Sequence, residues 1–119
     1  MRLQLNIFMM HGNMASMILK HEGKQFKIAQ LCNALQFVAV MEQHRIALIS
    51  GGGHELCYEL RDNRGYEWVL SCRLGNRMVL VEVWVQNAGA QDNLKTEFIW
   101  EGSVGEFDRA IRVMSGRIK

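Results

Sequence analysis

Between residues 45 and 101 apolar and polar side chains alternate and turn residues fall at short intervals, a pattern that predicts antiparallel sheet for this part of the chain. Leu56, Tyr58 and Leu60 alternate with Cys57, Glu59 and Arg61; after Asp62-Asn63-Arg64-Gly65, Trp68, Leu70 and Cys72 alternate with Glu67, Val69 and Ser71. Side chains on a strand point to opposite faces in turn, so one face of this hairpin is apolar and the other mixed.

The register follows from the side chains. A two-residue loop at Asn63-Arg64 would set Glu59 opposite Trp68 and mix the faces. A three-residue loop, Asn63-Arg64-Gly65, sets Leu60 opposite Trp68, Tyr58 opposite Leu70, Leu56 opposite Cys72 and Arg61 against Glu67. Gly65 supplies the positive φ that such a loop needs at its end. The next turn signal, Gly75-Asn76, sets Cys72 opposite Val79, Leu70 opposite Val81 and Trp68 opposite Val83. Beyond it, Thr96, Phe98 and Trp100 alternate with Glu97, Ile99 and Glu101, and upstream Ile46 and Leu48 precede Ser50-Gly51-Gly52-Gly53. The expectation is a five-stranded antiparallel meander over about residues 45–50, 55–62, 66–74, 77–87 and 94–101.

A helix is expected over about 103–115. Ser103 and Glu106 have the spacing of a capping box, Phe107, Ala110, Ile111 and Met114 form one apolar stripe, and Gly116 is a stop. Its place is against the apolar face of the sheet. At the other end, Leu3, Leu5, Ile7 and Met9 alternate as a strand, and Glu22-Gly23 lies between two extended runs as a hairpin. From Ala29 to Gln43, polar residues at 30, 33 and 36 recur among apolar neighbours, which predicts a mostly buried helix, with a strand over Phe37 to Met41 as the alternative that β-favouring Phe37, Val38 and Val40 allow. The fold class is thus α+β, in a single domain over 1–119.

Composition narrows the function more than it names it. A chain of 119 residues that is 49% hydrophobic and has no Pro can build a core and is neither disordered nor collagen-like. No apolar run approaches a membrane span, and Gln4 and Asn6 interrupt the first residues, which makes them a poor signal peptide. Three cysteines, Cys32, Cys57 and Cys72, are an odd number, and reduced thiols in a cytoplasmic protein are the plain reading. Residues 1–50 carry a net +3, residues 51–102 a net −3 and residues 103–119 a net +2.

No motif commits the chain to catalysis or assigns it to a family. His11, His21, His44 and His54 are scattered without paired ligand spacing, so neither a metal nor a cofactor is expected. Gly51-Gly52-Gly53-His54 lacks the following helix of a phosphate loop. Cys72 falls on the apolar face and Cys57 on the opposite one, where neither meets a base that would make it a nucleophile. Arg109, Arg112, Arg117 and Lys119 form a basic tail, but no aromatics interleave with them and the exposed sheet face is acidic, which argues against nucleic acid.

That second face is the distinctive feature. It carries Cys57, Glu59 and Arg61, then Glu67, Val69, Ser71 and Arg73, then Met78, Leu80, Glu82 and Trp84, then Glu97, Ile99 and Glu101. The register places Trp84 beside Glu67 and near Glu97, and Val69 between Glu59 and Glu82. A solvated face has no need of Trp84, Leu80, Met78, Val69 and Ile99 together. Either the N-terminal segment covers it, or it is an interaction face that docks a protein partner or a second copy, without catalysis. The alternative is a small-molecule cup, isomerase-like or hydrolase-like, walled by Tyr58, Trp68 and Trp100 with His54 or Glu55 at its rim.

Overall fold

The computed structural model describes residues 2–52, 55–86 and 95–117. The chain runs β1 (Gln4–Met9), β2 (Met14–His21), β3 (Lys24–Cys32), α1 (Ala34–Ile49), β4 (Glu55–Arg61), β5 (Glu67–Gly75), β6 (Met78–Gln86), β7 (Lys95–Ser103) and α2 (Val104–Gly116). The class is α+β, but the strands form two antiparallel sheets, β1-β2-β3 and β4-β5-β6-β7, rather than a single five-stranded meander.

The missing fifth strand is the end of a helix. Residues 45–49 belong to α1, which starts five residues later than expected and takes in Ile46 and Leu48. Its buried residues, Ala34, Phe37, Val38, Met41, His44 and Leu48, recur at threes and fours as a helix requires. Leu35, Ile46 and Ile49 are also apolar yet about half exposed, so no clean stripe marks the helix in the sequence. Ser50-Gly51-Gly52 then ends a helix instead of turning a hairpin. Gly51 has φ +79°, and the amides of Gly51 and Gly52 donate to the carbonyls of Leu48 and Ala47. These are the two hydrogen bonds of a Schellman stop, which needs a left-handed residue that glycine supplies without strain. Residues 29–32, expected in the helix, instead complete β3.

The β4–β5 register is the expected one, with Leu60 opposite Trp68, Tyr58 opposite Leu70, Leu56 opposite Cys72 and Arg61 opposite Glu67. Asp62 builds the turn: its carboxylate accepts from the amides of Arg64 (3.0 Å) and Tyr66 (2.9 Å), and Gly65 has φ +92°. The β5–β6 turn lies one residue later than expected, on Asn76 and Arg77 at φ +50° and +67°. Cys72 therefore faces Val81, Leu70 faces Val83 and Trp68 faces Val85. A shift of two leaves every side chain on its expected face but changes its neighbours. Between β6 and β7 a bulge follows Val83–Phe98, so that Trp84 pairs with Thr96 and Glu97 is the extra residue.

In the first sheet the Glu22-Gly23 hairpin is present, with φ +45° and +78° at its two central residues. A bulge opposite Ala15 and Met17 lets Ile28 and Leu31 of β3, three residues apart, both point inward. β3 crosses one end of the second sheet. Near its start, Nε2 of His21 is hydrogen-bonded to the carbonyl of Ile99 at 2.7 Å, and the His21 ring stands edge-on to Phe98. Near its end, the Asn63 amide donates to the Gln30 carbonyl and Leu31 bridges Asp62. Phe26 meets Trp68 edge-on between the two.

Ser103 and Glu106 form the expected capping box, and Phe107, Ala110, Ile111 and Met114 are buried. The hydrogen bond from the Ser103 amide, first among several, holds the Glu106 carboxyl below its usual range. α2 lies mainly against α1 and β1 and touches β6 and β7 less, a more lateral position than the sheet-backing one expected. Arg45 joins the two helices, donating to Glu42 at 2.7 Å and to Asp108 at 2.9 Å. Leu5, Ile7, Met17, Leu19, Ile28, Phe37 and Met41 meet Leu60, Leu70, Val81, Val83, Phe98, Trp100, Phe107 and Ile111 in one core. The inner face of β4–β7 is therefore covered by the first sheet and the helices.

Candidate functional site

The outer face of β4–β7 is built in rows by the strand register. Arg61, Glu67 and Gln86 form the first row, and Glu59, Val69, Trp84 and Thr96 the second. Cys57, Ser71, Glu82 and Ile99 form the third, and Glu55, Arg73, Leu80 and Glu101 the fourth. Met78 closes it opposite Gly75. Val69 thus lies between Glu59 and Trp84, not between Glu59 and Glu82, and Trp84 lies beside Val69 rather than Glu67. The later β5–β6 turn is the reason. This register pairs Val69 directly with Trp84 across the strands and leaves the glutamates around them.

Among the described elements none covers this face. Met78 and Ile99 are 38% and 46% exposed, and Val69, Leu80 and Trp84 are half-buried by their neighbours alone. Ser71, in the middle, is buried. Six glutamates and two arginines share the face. Glu67 pairs with Arg61 at 3.0 Å and Glu82 with Arg73 at 3.4 Å. Glu59, Glu97 and Glu101 are exposed and join no ion pair among the described residues.

The residues of the expected cup are not brought to one place. Trp100 is buried, its ring folded against Gly102 so closely that a methyl group there would overlap it. Tyr58 packs on Phe37 with ring centroids 5.7 Å apart, and burial raises its phenol above the usual value. Trp68, between Phe26 and Tyr66, is the cup residue that lines a described cavity, a cleft of about 470 Å³ at the β4–β5 turn. Glu55 is exposed at the far end of β4, and His54 lies outside the described residues.

The thiols are placed as the alternation implies, except that Cys32 ends β3 and is not helical. Burial holds the Cys72 thiol well above its usual range, which leaves it protonated and unreactive. Cys57 is exposed on the outer face. Among the described residues no three His, Cys, Asp or Glu side chains gather as metal ligands, and no helix is long and apolar enough to cross a membrane.

One feature escaped the sequence pattern. β1 and α2, at opposite ends of the chain, are neighbours, and Arg2 and Phe8 thereby join Arg109 and Arg117 along one groove. The basic tail was visible; its partner strand was not, because nothing local encodes that contact. No family model, no curated protein and no solved structure matches the chain.

Proposed function

We propose that the protein is a non-catalytic interaction module that docks a basic surface of another protein on the outer face of β4–β7. The observation that carries this reading is the patch of Val69, Leu80, Trp84, Met78 and Ile99, which no described element covers, bordered by Glu59, Glu97 and Glu101, exposed and in no ion pair among the described residues. Interfaces of this kind place aromatic and aliphatic anchors at the centre and charges at the rim, where the charges select and steer the partner. A second copy is a poorer occupant. A two-fold contact would set this acidic face against itself, since its two arginines are already paired within the chain.

Comparative capture tests the reading. Wild-type protein, Ile99→Lys and Arg109→Glu are immobilised, exposed to extract of the source organism, and eluted with rising salt. The expected result is a basic protein held by the wild type and by Arg109→Glu, released by salt and missing from Ile99→Lys. Light scattering of the same proteins should give a wild-type monomer. A partner retained by Ile99→Lys, or a wild-type dimer that this substitution dissociates, contradicts the proposal.

A further inference from the structure

The groove between β1 and α2 has a volume of about 490 Å³ and lies apart from the acidic face. Arg2 through Asn6 line it without interruption, followed by Phe8. Successive side chains on a strand point to opposite sides, so an unbroken run can line one groove only where that groove follows the strand's edge. β1 is the outermost strand of its sheet, paired with β2 on one side only, and its other edge has no strand partner among the described residues. From α2 the wall is formed by residues at helical spacing, among them Arg109, Val113 and Arg117.

The charge of this groove is distinctive. Arg45, Arg61, Arg64, Arg73 and Arg112 are each paired with a carboxylate. Arg2, Arg77, Arg109 and Arg117 form no such pair among the described residues, and all of these except Arg77 line the groove. Its one carboxylate, Glu106, caps α2 through Ser103. Phe8 and Val113 are 52% and 47% exposed there, and the Arg117 guanidinium lies 5.9 Å from the centre of the Phe8 ring.

We propose that this groove binds an extended acidic peptide segment, which adds a strand to the free edge of β1. The strand edge supplies main-chain donors and acceptors at β spacing, the arginines meet acidic side chains, and Phe8 with Val113 receives an apolar one. A nucleic acid would find cations here but could make no use of the peptide ladder.

The probe is a fluorescein-labelled heptapeptide of alternating Glu with Val or Phe, read by anisotropy against the full-length protein. A version N-methylated at alternate residues blocks the ladder, and a labelled thymidine oligomer reports binding by charge alone. Wild type should bind the plain peptide saturably. Binding should weaken at least about tenfold for Arg109→Glu/Arg117→Glu and for the N-methylated peptide, and should be unchanged in Ile99→Lys. Both arginines are exposed, and Arg2→Glu, outside either helix, provides a second charge reversal if the double variant misfolds. No wild-type binding, equal binding of the N-methylated peptide, equal binding by the reversed variants, or tighter binding of the oligomer would each overturn the proposal.

Discussion

The two sheets of this protein turn outer faces of opposite character away from the same core. The β1-β2-β3 sheet shows Gln4, Asn6, Ser16, Lys20, Gln25 and Lys27 on its outer side, with Phe8, Met14, Ile18 and Cys32 as the exceptions. The β4–β7 sheet shows Trp84, Val69, Leu80, Met78 and Ile99 there, ringed by glutamates. Both sheets bury the middle of their inner faces in the shared core. A largely polar outer face suffices for the first sheet, and the apolar patch on the second is the surface that the proposed docking would use. Antiparallel sheets commonly leave one face in water, and an apolar patch on that face is the informative departure.

The largest expected effect sets the scale for that comparison. Trp100→Ala, on the inner face, should cost about 3–5 kcal/mol in denaturant unfolding, whereas Trp84→Ala on the outer face should cost about 1 kcal/mol. Equal losses would mean that both faces are core. Gly102→Ala should cost about 3 kcal/mol, because the new methyl group meets the Trp100 ring on a strand that has little room to move. Replacing Ser103 by Ala removes the acceptor for the Glu106 amide and should cost about 1 kcal/mol without affecting partner capture.

The inner layer also carries a pH signature. His44 is buried on α1, edge-on to Phe107, and burial lowers its pKa. Above its unfolded value of 6.5 the ring is neutral in both states and takes nothing from stability. As pH falls below 6.5 the unfolded chain gains a proton that the folded one resists, so stability declines until the folded group also titrates. A thermal unfolding series from pH 8 to pH 5 should show that decline in the wild type, reduced in His44→Leu. The smallest effect belongs to Ile99→Lys, which should alter stability by no more than about 0.5 kcal/mol while abolishing capture.

How much of this was legible depended on where each signal lay. The β4–β5 hairpin was readable because two faces and a glycine at positive φ agreed on one register. Asn76-Arg77 was not, since neither residue announces a left-handed turn as clearly as the Gly75 beside them. α1 was displaced because Leu35, Ile46 and Ile49 put apolar residues on its exposed side, and because Gly51 stops a helix with the same chemistry that turns a hairpin. The outer face survived both errors, because a shift of two residues keeps every side chain on its face. The β1–α2 groove depends on a contact between chain ends, and no local pattern records that.

Oxidative footprinting of the protein alone and with its captured partner tests the central claim most directly. The account predicts that Met78 and Trp84 are oxidised in the free protein and protected in the complex, while Met17, Met41 and Trp100, buried in the core, stay unreactive in both. Met78 and Trp84 reacting as fast in the complex as in the free protein would contradict it.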